Sequence, residues 1–324
     1  MLVLVNHRSV VMKENVRLFV IGLVMGAAEI IPGVSGGTIA FVTGIYERFV
    51  NAIQGFNPLL FRKLKFNGLK KTWQELDVNF LLILFSGMGI AILLFAGFVT
   101  YLLEEQAIFI WSFFFGLVVA SVWLVIQQIS RFGWDIAFSL VLGTAFGMTV
   151  ATLAPVELEP APVTLFLGGA IAVCAWILPG LSGSFILLIL GLYRHVLEAI
   201  RSLDMVVLLT LGAGCVLGIV AFTQLLTRLL RDHHNETFGL LTGFMVGSLV
   251  KLWPWQYVSS YHLKSDGSQI ALVQDPVSPF VYLDLTGNNP ELVVAIFGLI
   301  LGCIGVVGLN FLAHSDADVS SDKN

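Results

Sequence analysis

The chain reads as an all-α polytopic membrane protein made of two related halves in inverted orientation. Three observations predict this: a scarcity of charge, six long apolar runs, and a broken apolar motif that occurs twice. Of 324 residues, 57% are hydrophobic and 12% charged, with a mean hydropathy of +0.91. A soluble domain carries about 25% charged residues, so lipid is the expected solvent. The net charge is −4, and no basic domain stands out, which argues against a nucleic-acid partner. Cys174, Cys215 and Cys303 lie in apolar runs without metal-ligand spacing and read as small core residues. No cofactor or metal is expected. The first 17 residues hold no compact apolar stretch with a cleavage site, so no removable signal peptide is expected.

A helix needs roughly 20 apolar residues to cross a hydrocarbon layer of ~30 Å. Runs at 80–103, 107–129, 134–153, 205–229, 237–253 and 291–313 meet or approach that length. Two other apolar stretches, 18–50 and 163–197, are interrupted by Pro32-Gly33-Val34-Ser35-Gly36-Gly37 and by Pro179-Gly180-Leu181-Ser182-Gly183. Unbroken, each would measure roughly 50 Å, and each arm spans only about 20–24 Å. Proline disfavours helix at the residue before it, and the glycines after it loosen the backbone further. Each stretch therefore reads as a re-entrant hairpin, its break surrounded by protein or a watery cavity.

The two breaks match. Pro32 and Pro179 are 147 residues apart, as are Tyr46 and Tyr193, and Gly44-Ile45-Tyr46 returns as Gly191-Leu192-Tyr193. Fainter echoes pair Gly116 to Ser121 with Gly243 to Ser248, and Leu142-Gly143 with Leu301-Gly302, where helix packing is the plainer reading. The first repeat occupies 1–153 and the second 154–313, with 314–324 as a disordered acidic tail. Three crossings separate the hairpins, so the second faces the opposite side, as in many transporters. With the N-terminus inside, 13 of the 17 Lys and Arg residues fall on the cytoplasmic side, in the direction of the positive-inside rule. The C-terminus is then cytoplasmic too. Segment 59–66 reads as a basic amphipathic stretch on the anionic leaflet. Trp253-Pro254-Trp255 reads as an interfacial anchor, and 259–289 as an external loop.

A break within a helix leaves amide N–H groups bare at the start of the outgoing arm, where the helix dipole also favours an anion. Ser35 and Thr38, with Ser182 and Ser184, add hydroxyls, while Gly36, Gly37 and Gly183 allow close approach. Phosphate suits such a seat; simple capping and packing of the break is the plainer alternative. Glu29 falls roughly 18 Å into the membrane, where a carboxylate is costly and usually functional; a structural role, bonded to amides of the loop, is the plainer alternative. Its counterpart in the second repeat is Trp176. Arg48, and Arg194, His195 and Arg201, follow the two hairpins and could receive a phosphate at either leaflet or serve as snorkelling anchors.

At Glu29-Ile30-Ile31-Pro32-Gly33-Val34-Ser35-Gly36-Gly37-Thr38 and Leu178-Pro179-Gly180-Leu181-Ser182-Gly183-Ser184 the sequence resembles the bacterial polyprenyl-phosphate transporters. That resemblance implies a flippase-like translocase of the inner membrane that returns undecaprenyl phosphate for cell-wall synthesis, with proton coupling as a further expectation. The partner is then the polyprenyl-phosphate lipid; glycine-rich faces also permit a homodimer. The alternative is an intramembrane undecaprenyl-pyrophosphate phosphatase. Such enzymes place an arginine after the motif serine, and a second glutamate and a histidine nearby. Here Gly36 follows Ser35 and Gly183 follows Ser182, so no catalytic residue is expected. A channel or scaffold is a third reading.

Overall fold

The computed structural model describes residues 2–31, 34–57, 60–156, 158–263 and 269–314. Among them the chain runs α1 (Leu2–Glu29), α2 (Gly36–Val42), α3 (Tyr46–Gln54), α4 (Leu60–Glu75), α5 (Val78–Glu105), α6 (Ala107–Ile126), α7 (Trp134–Thr152), α8 (Pro162–Ile177), α9 (Gly183–Ile189), α10 (Tyr193–Ser202), α11 (Met205–Asp232) and α12 (His234–Leu252). Strands β1 (Gln256–Leu263) and β2 (Gln269–Pro276) come next, then α13 (Pro279–Thr286) and α14 (Leu292–His314).

Five helices, α5, α6, α7, α11 and α14, are long and apolar enough to cross a membrane. The sixth expected span, 237–253, is the helix α12, which falls short on apolarity. Its surroundings explain this: Thr237, Gly239, Thr242, Gly243, Gly247 and Ser248 are buried against other helices. Small and polar residues are tolerated where protein rather than lipid covers a helix.

Glycines set how the helices pair. A Cβ on Gly143 would run into the Leu240 carbonyl, joining α7 to α12. One on Gly116 or Gly302 would strike Leu299 or Phe113 at the α6–α14 contact. Gly22 abuts Leu84 between α1 and α5, and Gly214 abuts Phe166 between α8 and α11. Lipid supplies no hydrophobic drive for helices to associate, so close backbone approach has to supply the attraction. The small-residue echoes at 116, 143, 243 and 302 are thus helix contacts. The three thiols are free and also sit at these seams, Cys215 Sγ lying 3.4 Å from the Gly169 carbonyl and Cys303 Sγ 3.2 Å from that of Gly116.

Both hairpins differ from the expected pair of straight arms. The first arm does not begin at residue 18, because α1 is one continuous helix from Leu2. The outgoing arms are seven-residue helices, α2 and α9, which stop at Gly44 (φ +71°) and Gly191 (φ +70°). Left-handed φ is the glycine-favouring region, so the chain turns there. It continues as α3 and α10, both strongly amphipathic, with α10 bent 109° from α9.

The structure is mostly helical, as an all-α class requires; segment 259–289, expected as a loop, holds most of a local β-hairpin. β1 and β2 form an antiparallel hairpin whose register pairs Val258 with Gln274. The Lys264 to Ser268 connection lies outside the described residues. α13 begins at Ser278, whose hydroxyl accepts the Val281 N–H (3.3 Å), and ends at Gly287 with φ +71°. Trp255 is buried and donates to the Pro290 carbonyl (2.8 Å), and Trp253 donates to that of Val277 (2.8 Å). These rings fasten the β-hairpin to the bundle instead of standing free as membrane anchors. Part of the basic segment 59–66 lies in α4, where Lys65 and Phe66 are exposed. The tail from Ser315 lies outside the described residues.

Candidate substrate-binding site

The two breaks meet. Ser35 is the N-cap of α2, its hydroxyl oxygen accepting the Gly37 N–H at 3.1 Å. Its own proton faces the Trp176 and Leu178 carbonyls of the second break, at 3.4 and 3.3 Å. In return the Gly180 N–H donates to Thr38 Oγ1 at 3.0 Å. Gly37 lies so close that a Cβ there would come within 2.9 Å of the Ile177 carbonyl. Breaks 147 residues apart in sequence thus interlock across one seam. Ser35 and Thr38 are wholly buried in it. Pro32 and Gly33 lie outside the described residues.

The expected bare amides of the first tip are not bare. Glu29 Oε1 accepts the Gly36 N–H at 2.7 Å, Ser35 takes the next N–H, and the Thr38 N–H bonds to the Ser35 carbonyl at 3.0 Å. The chain supplies its own acceptor where an incoming anion was expected, which is what a short helix with unfilled donors requires when buried. Trp176, the repeat counterpart of Glu29, lies at the same junction, its carbonyl facing the Ser35 hydroxyl. Its indole packs edge-on against Phe49 (5.8 Å between ring centres) and stacks with Phe85 (6.3 Å).

The second tip is built otherwise. Ser182 makes no side-chain cap of α9; its hydroxyl bonds instead to that of Ser184 at 2.9 Å. Gly183 is pressed against Ala172, where a Cβ would lie 2.6 Å from the carbonyl oxygen. Ser184 is partly exposed, while Ser182 and Gly183 are buried. No base stands beside either serine among the contacts of the described residues, so neither is equipped to attack phosphorus.

The four remaining candidates are not brought to the tips. Arg48 forks onto Asp77 (Nε to Oδ2 2.5 Å, Nη2 to Oδ1 3.2 Å) and reaches Glu14 (2.8 Å). Glu14 precedes Glu29 by 15 residues on α1, or roughly 22 Å. Arg48 therefore ties α1, α3 and α5 together, and Glu47 adds a bond to His234 at 2.9 Å on α12. These pairs are 35–48% exposed. Exposed pairs contribute about 0.2–1 kcal/mol each. We expect Arg48→Ala to bind lipid phosphate within about twofold of wild type and to lose only about 1–2 kcal/mol of stability. A tenfold loss of binding in a lipid titration would return Arg48 to the site.

Arg194, His195 and Arg201 lie on α10, beyond the 109° bend and about 10 Å of α9. Arg194 pairs with Glu198 on its own helix at 2.8 Å, which holds that carboxyl below its usual range. His195 Nδ1 is buried without a hydrogen-bond partner among the described residues.

One group near the second tip is absent from the candidates read from the sequence. Lys251 of α12 holds its ammonium 5.2 Å from the centre of the Phe185 ring on α9 and donates to Gln274 Oε1 at 3.0 Å. Its signal was present in the sequence, as the one basic residue within the run 237–253, where an ionisable group is functional by default.

The two return arms are also packed unequally. α3 rests on α11 and is tied to α1, α5 and α12 by the pairs above, whereas the main neighbours of α10 are α9 and α11. Every residue of α2 is buried, but Ser184 and residues 186–188 of α9 are partly open.

A family model described as undecaprenyl phosphate translocase-like, VCA0040-like, matches residues 25–270, a span that holds both breaks, both return arms and Lys251. The chain belongs to that family. It is 40% identical over 293 residues, 90% of its length and 95% of the relative's, to a protein of Vibrio cholerae serotype O1 named polyprenyl-phosphate transporter. A Staphylococcus aureus protein of the same name is 31% identical over 252 residues, covering 72% of this chain and 84% of the relative. No solved structure matches.

Proposed function

We propose that this chain is a flippase-like translocase of a polyprenyl phosphate, undecaprenyl phosphate or a close relative, in the bacterial inner membrane. Its two halves are inverted repeats, both termini are cytoplasmic, and the lipid phosphate is handled where the two breaks meet. Membership of the family and the names of its relatives support the substrate. The observation that carries the mechanism is the hydrogen-bonded seam between Ser35 and Leu178 and between Gly180 and Thr38. Gly180 sits against Met245, eleven residues into the 19-residue α12, which is about 16 Å from one end and about 10 Å from the other. That depth is where a charged headgroup meets its highest barrier in bare lipid, and where polar protein groups lower it most.

In this arrangement the end holding Glu14, Arg48, Asp77, Glu47 and His234 is the cytoplasmic end, and the β-hairpin end is the outer one. α1 carries the first break in from the former and α8 the second from the latter. The tight α3 and the looser α9–α10 then describe one state of an alternating cycle, sealed inside and relaxed outside. The isoprenoid tail stays in lipid, since burying it would gain nothing.

The test is reconstitution into liposomes carrying a polyprenyl phosphate in both leaflets, with external phosphatase consuming whatever is exposed. Wild-type protein should let consumption proceed past the half in the outer leaflet toward completion. Protection of the inner half, equal to that of empty liposomes, would end the transport reading.

A further inference from the structure

We propose that Lys251 is the cation that receives the lipid's phosphate on the β-hairpin side, held ready for it by Gln274; this rests on the transport reading above. The side chain leaves α12 near its last turn, yet its head does not turn out to solvent. It points inward over the Phe185 ring, one residue beyond Ser184 of the second tip. Lys251 is partly buried, and no carboxylate pairs with it among the described residues. By contrast Arg48, Arg131, Arg194 and Arg231 all sit in ion pairs.

An ammonium has three donors. One goes to the neutral Gln274 amide oxygen, and the ring face offers a weak cation–π contact. The charge itself is left without compensation, an arrangement that is costly inside a protein unless an anion completes it.

The placement is enforced rather than incidental. Gln256 of β1 donates to the Lys251 carbonyl at 2.7 Å, pinning the backbone, while Gln274 of β2 pins the head. Val258 pairs with Gln274, and Trp253 locks the strand's exit, so both glutamines belong to one fastened unit. A lysine that served only to anchor the helix end would extend toward headgroups and water. This one is drawn back over Phe185, the residue that follows Ser184 in α9. An unpaired ammonium next to the tip that carries the Ser182 and Ser184 hydroxyls suits a phosphomonoester, which offers several acceptor oxygens.

The full chain in nanodiscs would be titrated with farnesyl phosphate, farnesol and inorganic phosphate, for wild type, Lys251→Met, Lys251→Arg and Gln274→Ala. Lys251→Met should weaken farnesyl phosphate at least about tenfold and leave farnesol unchanged, with Lys251→Arg within about threefold of wild type. Gln274→Ala, which keeps the charge but frees the head, should fall between them. Wild type that binds while both Lys251→Met and Gln274→Ala bind equally well overturns the role of Lys251 alone. Wild type that ignores farnesyl phosphate overturns the transport reading and this inference with it. Inorganic phosphate competing as strongly as the lipid would support a phosphate site at Lys251 but overturn its assignment to a lipid headgroup.

Discussion

Gly180→Ala is expected to destabilise the protein by about 2–5 kcal/mol and to abolish transport. Gly180 holds φ +82°, a region where a side chain costs about 1–2 kcal/mol. A methyl group there would also sit 2.8 Å from Met245 Cα and 3.0 Å from its nitrogen. Both are backbone atoms of α12, so no rotamer change relieves the contact, and overpacking of this kind adds about 1–3 kcal/mol. The residue's N–H donates to Thr38, so any shift that makes room opens the seam between the breaks. Gly44→Ala is the matched comparison, with φ +71° but nothing within 4 Å of the new methyl. It should lose only the backbone share of about 1–2 kcal/mol. Thermal unfolding of both variants in one detergent separates the two contributions. Equal midpoints would show that α12 does not press on the second break, and the convergence of the tips would lose its physical basis.

Much of this arrangement was legible in the residues. The 147-residue offset that joins Pro32 to Pro179 also joins the starts and ends of α2 and α9, at 36 and 183 and at 42 and 189. Helix pairing was legible too, because glycines at 116, 143, 243 and 302 announce close approach. The turns at Gly44 and Gly191 were visible as repeated letters but not as turns. Apolar residues continue through both sites, and only positive φ distinguishes a hinge from a helical glycine. The β-hairpin was hidden for a related reason: in a chain this apolar, a few Tyr, Val, Ile and Leu residues in a polar segment carry little weight. Glu29 was legible as an intramembrane carboxylate, and the loop amides were legible as one kind of partner, but not which amide it takes. The path of the break decides which amide lies within reach, and the break is where propensity says least.

The second large effect is expected at Glu29, because of the amide its carboxylate holds. Glu29→Ala leaves the Gly36 N–H buried without its acceptor, a loss of about 1–3 kcal/mol. Glu29→Gln keeps a neutral acceptor, so the tip should fold, and the variant isolates the charge. A carboxylate and a phosphate cannot both stay charged against the same few amides of α2 in a medium of low dielectric. Either the carboxylate takes a proton or it swings away. Proton uptake at Glu29 as phosphate arrives would couple transport to pH, with faster exchange at lower pH. In Glu29→Gln no such proton exists, so between about pH 6 and pH 8 the rate should vary less steeply than in wild type, with only the phosphate's own ionisation left to act. The exchange step itself should slow by about 10–100-fold, the equivalent of one charge-assisted hydrogen bond of about 1.5–3 kcal/mol. The liposome assay run at both pH values for wild type and Glu29→Gln checks this. A variant with the wild-type rate and the wild-type pH profile would make Glu29 a structural cap and nothing more. Retained lipid binding with lost exchange would separate the two roles: the second tip and Lys251 would hold the phosphate, while Glu29 yields the first tip to it.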